Sequence, residues 1–458
     1  MVAEPAPELK RQLGLFDGTN IVLGCIIGSG IFIVPAITAS RLHSPSMVLL
    51  VWTVGGLLTL CGALAYGELG ASLPHVGGQY VYLREAYGPL PAFLYGWTLF
   101  LVIQSGGIAT LAAAFSIYAG YFLPLSTVQA HLLSIAVILV LAVINCLGLR
   151  LGASVQNFFT VIKVTGVLAI VTVAFTFRGG SFGHLKPFWP AGSAGMPAAV
   201  AAAMIGVLWA YEGWHNFSFV AGETVNPQRT IPIALIIGTG LSMILYLAAT
   251  MGYLYVLPFE AVAGSSRIAA DTMKAAVGVA GGTMISLLIL FSVIGAANGM
   301  MLSGPRAYYA MAHDGLFFQA LKRIHPRWGT PVLAIVVQAV WASVLAFSGR
   351  YDQLFTYVIF AAWLFYGMTV AGVIVLRRKH PEWHRPYRVW GYPAVPGLFA
   401  VAAFAIVVAT LLSSPRESAW GLAIVLLGVP VYFLWGHRSQ PASKAEMAGE
   451  GKSLRPVG

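Results

Sequence analysis

Two short stretches decide how the chain reads: Ile26-Ile27-Gly28-Ser29-Gly30-Ile31-Phe32 and Trp209-Ala210-Tyr211-Glu212-Gly213-Trp214. Each interrupts an apolar run long enough to cross a bilayer, one near 15–40 and the other near 195–221. Two glycines around a serine weaken a helix and let a ligand approach the backbone. In the second stretch a glutamate and a glycine fall at mid-depth, where a charge is costly and marks a functional position by default. An unwound segment exposes amides at the start of one half-helix and carbonyls at the end of the other. Such backbone is tolerated at that depth only around a cavity. The amides suit a carboxylate and the carbonyls an ammonium, so a zwitterion satisfies both. Close packing of small residues between helices is the bland alternative. Two breaks at equivalent places, one carrying a glutamate, weigh against it.

The rest of the chain fits a membrane setting. Of 458 residues, 58% are apolar and 9% charged, with a mean hydropathy of +0.81. A soluble domain carries about 45–50% apolar and about 25% charged residues. An ordinary soluble enzyme, a disordered chain and a secreted disulfide scaffold are excluded. At about 22 residues per span, the apolar content supplies roughly twelve spans. They read near 15–40, 46–70, 91–122, 128–148, 153–176, 195–221, 231–256, 281–310, 331–349, 354–376, 395–413 and 419–436. Four complete spans separate the two breaks, so the broken helices run in opposite directions. This is the pattern of an inverted repeat of five helices. The predicted fold is an all-α integral membrane protein of 12 transmembrane helices. Its halves lie at about 15–176 and 195–376, followed by two helices at about 395–436. Residues 1–14 form a cytoplasmic N-terminal segment, 15–436 the membrane domain, and 437–458 a disordered tail. The first span has no small-residue cleavage site and reads as retained.

The formal charge is +11, which in a soluble protein would suggest nucleic acid. Here the cations are spread along short loops, so membrane topology explains them and no nucleic acid is implied. With the N-terminus inside, eighteen Lys and Arg fall in cytoplasmic segments and seven outside, with Lys163 alone within a span. That bias places both termini in the cytoplasm of a multi-pass protein of the plasma (inner) membrane. Cys25, Cys61 and Cys146 sit in apolar runs, and the histidines do not cluster. No disulfide framework, metal site or cofactor is implied.

Three charges stand within spans. Lys163, in Val161-Ile162-Lys163-Val164-Thr165, is too far from either end to snorkel easily and reads as functional. Glu68, in Tyr66-Gly67-Glu68-Leu69-Gly70, reads as a structural partner for a loop donor such as Arg84. Glu212 either satisfies nearby helix-end amides or faces a substrate. His215 is a gate or packing, with packing favoured, and Trp209 either closes over a substrate or packs.

These residues resemble those of the amino acid–polyamine–organocation superfamily, which has the LeuT-type fold with a 5+5 inverted repeat and broken helices 1 and 6. Within it, the chain looks like the L-type amino acid transporters, which are the light chains of heteromeric amino acid transporters and their bacterial relatives. The carrying pieces are Gly28-Ser29-Gly30-Ile31-Phe32, and Trp209-Ala210-Tyr211-Glu212-Gly213-Trp214 continuing to Glu223-Thr224-Val225-Asn226-Pro227. Gly295-Ala296-Ala297-Asn298-Gly299 and Arg385-Pro386-Tyr387-Arg388-Val389 complete the set. The resemblance implies that Ile26, Ile27, Gly28, Ser29 and Gly30 line the carboxylate and amino ends of a substrate, with Ile31 nearby. It implies a gating role for Trp209, with Ala210 and Glu212 beside the substrate. Lys163 matches a lysine of sodium-independent members, whose ammonium stands in for a bound cation or carries a coupling proton. It would reach carbonyls of span 1 and Ser303 of span 8.

The chain departs from that pattern too. Mammalian light chains carry a cysteine between spans 3 and 4 for a disulfide to a partner glycoprotein, and residues 120–130 contain none. No disulfide-linked heavy chain is expected. The function expected is a sodium-independent transporter of neutral L-amino acids, an exchanger or a proton-coupled permease, and not an enzyme. A cationic amino acid or polyamine transporter of the same fold is the alternative. An intramembrane serine protease is the remote one, because no histidine is evidently placed beside Ser29.

Overall fold

In a computed structural model, which describes residues 9–120, 122–187, 189, 196–348 and 351–436, the apolar run opening at Leu15 stops being helical at Ile26. The Gly28 amide turns back to the Ile26 carbonyl at 2.8 Å, which ends the i→i−4 ladder. A 3₁₀ turn spans Gly30–Phe32, and the helix resumes at Val34. Pro35 sits in that first turn, where its missing N–H costs nothing. One predicted span is therefore two helices, α1 (Leu15–Ile26) and α2 (Val34–Leu42).

The chain continues through α3 (Pro45–Ser72), the short α4 (Gln79–Tyr87) and α5 (Pro89–Ala119). A π-helical turn over Leu99–Ile103 interrupts α5. Next come α6 (Thr127–Cys146), opened by a capping box between Ser126 and Gln129, α7 (Leu149–Thr176) and α8 (Met196–Ala210). α8 is the first half of the sixth predicted span. Past it the chain runs as 3₁₀ turns over Trp214–Glu223. Then follow α9 (Pro227–Val256), α10 (Phe259–Gly264), α11 (Ile268–Val277), α12 (Val279–Ser303) and α13 (Pro305–His313). Pro305, which lacks a donor, separates the last two. α14 (Val332–Ser348), α15 (Tyr351–Lys379), α16 (Ala394–Ser413) and α17 (Pro415–Gly436) complete the fold. The predicted tail at 437–458 lies outside the described residues.

Among the described residues, nine helical stretches are long and apolar enough to cross a membrane. Leu15–Ile26, Val332–Ser348 and Ser418–Leu434 are apolar but shorter. The single β pairing there is an isolated bridge between Leu13 and Thr224. Leu132, Val140, Phe404 and Leu412 are exposed on helices that are apolar all round, as expected of helices facing lipid. α1 packs against α7, α9 and α12, so its broken end lies in the middle of the bundle.

Buried ion pairs tie distant segments of the chain together. Arg306 holds Glu223 at 2.7 and 3.2 Å, both side chains 1% exposed. The amides of Gln12 and Leu13 donate to the Glu223 carbonyl at 2.7 and 3.0 Å. Glu68 does not meet Arg84. It accepts from Arg377 at 2.8 and 2.6 Å and from the Val389 amide at 2.7 Å, with Arg385 at 3.6 Å. Arg84 is held on α4 by Glu85 and by Asp314, which follows α13. The Arg-Pro-Tyr-Arg-Val stretch thus lies back against α3, where Arg385 and the Val389 amide meet Glu68.

Candidate functional site at the two breaks

The two interrupted segments touch backbone to backbone. A Cβ added at Gly30 would stand 2.6 Å from Ala210 Cα, and one at Gly213 2.9 Å from the Cys25 carbonyl carbon. Gly213 also has φ +103°, a conformation that a side chain disfavours. Tyr246 of α9 joins the two ends: its hydroxyl lies 2.8 Å from the Ile26 carbonyl and 3.1 Å from that of Ala210. These are the last residues of α1 and α8, so one side chain serves both orphaned helix ends.

Lys163 of α7 is fully buried. Its Nζ donates to the carbonyls of Gly24 (2.8 Å), Ile27 (2.7 Å) and Ser292 (2.9 Å). Three carbonyl acceptors match the three donors of an ammonium, whereas a neutral amine would leave one carbonyl facing a lone pair. Ser292 of α12 adds its hydroxyl to the Ile27 and Gly28 carbonyls at 3.0 and 3.1 Å. The expected partner Ser303 is elsewhere: its hydroxyl donates to Asn216 Oδ1 at 2.9 Å. Ser303 belongs to a second polar cluster, in which Gln104 Nε2 donates to Asn216 Oδ1, the Met300 carbonyl and Ser303 at 3.0, 2.9 and 3.2 Å. Gln104 directly follows the π turn of α5, a feature frequent at functional sites.

Between the breaks lies a small cavity of about 30 Å³. Its lining includes Ile26, Gly28, Ser29, Gly30, Trp209, Ala210 and Glu212, all expected there. It also includes Cys25, Leu111, Gly213 and Met300, which the sequence reading missed. Ile27 and Ile31 are not part of the lining. Both are fully buried, and Ile27 acts through its carbonyl, which holds Lys163. Among the described residues, the amides of Gly30 and Ile31 have no backbone acceptor. The carbonyls of Gly28 and Ala210 each accept one side-chain hydrogen bond and keep a second lone pair.

Glu212 faces two ways. Its Oε1 accepts from the Tyr366 hydroxyl of α15, with His215 Nδ1 at 3.7 Å. His215 is itself packed, with Nδ1 3.0 Å from the same hydroxyl and its ring against Phe219 and Tyr366. Among the described residues, Oε2 of Glu212 is buried without a hydrogen-bond partner, in a side chain that lines the cavity. A buried acceptor left unpaired costs about 1–3 kcal/mol, more for a charged group, so Oε2 is a place where a donor gains most.

Comparison with known proteins agrees with this architecture. The family model described as amino acid permease matches residues 13–435. The chain is 34% identical to the human (Homo sapiens) b(0,+)-type amino acid transporter 1, over 94% of this chain and 89% of the relative. It is 33% identical to the human cystine/glutamate transporter, over 93% and 86% respectively. It is also 33% identical to the human large neutral amino acids transporter small subunit 2, over 94% and 82%. With a family match over nearly the whole chain and relatives aligned almost end to end, the chain belongs to the amino acid permease family.

Proposed function

We propose that the protein is a sodium-independent permease that moves neutral L-amino acids across the plasma membrane by alternating access. It has twelve spans, a LeuT-type 5+5 arrangement and both termini in the cytoplasm. The observation that carries this reading is the cavity bounded by both breaks, with amides of Gly30 and Ile31 that have no backbone acceptor among the described residues near carbonyls of Gly28 and Ala210 that retain lone pairs. The amides receive the α-carboxylate, and the carbonyls receive the α-ammonium. Leu111 and Met300 offer apolar surface to the side chain. Trp209 is the gate over this site. Lys163 takes the place of a bound cation and ties α1 to α7 and α12. Net uptake driven by a pH gradient would identify it as a proton carrier, and obligatory counter-transport would identify an exchanger. A chain without cysteine at 120–130 is read as working without a disulfide-linked heavy chain, although one relative's name calls it a small subunit. The family and the names of the relatives are those of transporters and not of enzymes. A serine protease gains no support, since His215 is bonded to Tyr366. The test is uptake of labelled leucine into proteoliposomes in competition with each of the twenty amino acids.

A second reading, acceptance of cationic amino acids, is favoured by the unpartnered Oε2 of Glu212. As a carboxylate it pairs with a lysine or arginine side chain. A polyamine fits less well, because it has no carboxylate for the Gly30 and Ile31 amides. Glu212→Gln is expected to weaken competition by arginine about tenfold while leaving that by alanine and leucine within about twofold, the loss of one charge-assisted hydrogen bond. Equal weakening of all three would assign Glu212 to holding Tyr366 alone. An unchanged profile would remove it from the site.

A further inference from the structure

The start of α9 and the turn after α15 enclose a groove of about 570 Å³, whose lining includes Arg229, Ile233, Ile236, Ile237, Tyr387 and Trp390. On α9 the first four follow one another at spacings of four, three and one, so they share a face of the helix. At 1.5 Å per residue, Ile237 lies about 12 Å further along the axis than Arg229. That face therefore carries a cation at the helix end and an isoleucine stripe running deeper into the span. Arg229 is the only charged residue of the lining, and Arg229, Ile237 and Trp390 are exposed. The other wall belongs to a basic stretch, with five Lys and Arg against one glutamate between 377 and 390. Glu68 takes Arg377 and Arg385, and Lys379 donates to the Ala86 carbonyl. Among the described residues, the side chains of Arg229 and Arg388 make no ion pair or hydrogen bond.

We infer that this groove binds an anionic phospholipid of the adjoining leaflet, which is the cytoplasmic one in the orientation proposed above. Arg229 meets the headgroup phosphate, with Arg388 beside the lining residue Tyr387 as a second cation. An acyl chain lies along Ile233, Ile236 and Ile237. Basic pockets at the cytoplasmic end of spans suit anionic headgroups, and an exposed tryptophan suits the headgroup level. The positive end of α9 adds to the attraction. A lipid with a choline headgroup offers the same chains but brings a cation to two arginines. The lipid also joins two segments. A Cβ at Gly67 of α3 would stand 3.1 Å from both Pro232 and Tyr387, so the two walls of the groove meet on α3 one residue before Glu68. A lipid bridging the walls keeps the stretch 385–390 seated on Glu68, where Arg385 and the Val389 amide lie. The alternative is that Arg229 only snorkels to the membrane surface, beside lipid of any kind.

The test uses the purified full chain in detergent, titrated with dioleoyl phosphatidylglycerol or dioleoyl phosphatidylcholine. It reads the thermal midpoint and the lipid retained in native mass spectrometry. Phosphatidylglycerol is expected to raise the midpoint by several degrees and to stay bound, whereas phosphatidylcholine does neither. A single Lys or Arg near anionic lipid contributes about fivefold in affinity. Arg229→Gln and Arg388→Gln should therefore each weaken phosphatidylglycerol about fivefold, while Arg229→Lys keeps the affinity. Arg323→Gln, at an exposed arginine of another loop, should leave it unchanged. Ile237→Trp fills the groove with every charge kept and should lose the gain in midpoint; it carries the test if Arg229→Gln fails to fold. Glycerol phosphate, which has the phosphate and no chains, should give no shift. Equal stabilisation by the two lipids, wild-type binding by Arg229→Gln or by Ile237→Trp, an equal loss in Arg323→Gln, or a shift with glycerol phosphate alone would each overturn the lipid site. None of these readouts involves transport, so a wild type that moves no amino acid would overturn the permease reading and leave the lipid site standing.

Discussion

Lys163→Met is expected to lower amino acid uptake by at least about a hundredfold. The substitution keeps most of the side-chain volume and removes the ammonium. Hydrogen bonds to a charged donor contribute about 1.5–3 kcal/mol each, and Lys163 makes three. Their acceptors belong to the end of α1 and to α12, so the loss falls on the geometry of the first break. The Gly24 and Ser292 carbonyls would face a thioether, while Ile27 would keep only the Ser292 hydroxyl. Lys163→Arg is not a rescue, because Nζ already stands 3.0 Å from where a Cβ at residue 295 would be, leaving no room for a guanidinium. Initial uptake rates in proteoliposomes, with the thermal midpoint of the purified protein as a folding control, check this. A well-folded Lys163→Met protein with wild-type uptake would remove the lysine from the mechanism.

The second large effect separates two glycines of one motif. Gly30→Ala should abolish transport and lower thermal stability, because its Cβ meets Ala210 Cα at 2.6 Å and no rotamer change relieves a clash with backbone. Overpacking of this kind typically costs about 1–3 kcal/mol and displaces the segments that carry it. At Gly28 the new methyl would meet Leu111 and Ala296 at 3.5 and 3.7 Å, ordinary contact distances. Gly28→Ala should therefore fold normally. Because Gly28 lines the cavity, the variant should lose affinity for leucine more than for alanine. Thermal midpoints and competition uptake of both variants measure the contrast. A Gly30→Ala protein as stable and active as the wild type would show that the breaks do not touch.

The sequence carried the breaks because they violate the surrounding pattern: glycines, a serine and a glutamate stand out in apolar runs. Lys163 was legible for the same reason. Its partner was not. Ser292 and Ser303 are eleven residues apart on α12, about three helical turns, so they share a face and differ only in depth, by about 16 Å. Periodicity reports the face and is silent about depth. Tyr246 and Tyr366 were missed because a tyrosine in a membrane span reads as packing until its hydroxyl is seen to meet a carbonyl or carboxylate. Cys25, Leu111 and Met300 are apolar residues among apolar residues, and only the fold turns them toward the cavity. The misread partner of Glu68 has a different origin. Charge counting offered a nearby donor, Arg84, whereas Arg377 and Arg385 lie some three hundred positions along the chain and are brought in by α15 and the turn after it.

We propose that an ammonium fixed by the protein does the work of a bound metal cation in an amino acid site. The most direct test is uptake of labelled leucine into proteoliposomes of the wild-type protein, with external sodium chloride replaced by choline chloride at constant ionic strength. Saturable uptake, inhibited by unlabelled leucine, is expected at the same initial rate in both media. Uptake that collapses in choline and returns with sodium would contradict it, since Lys163 would then not stand in for the ion.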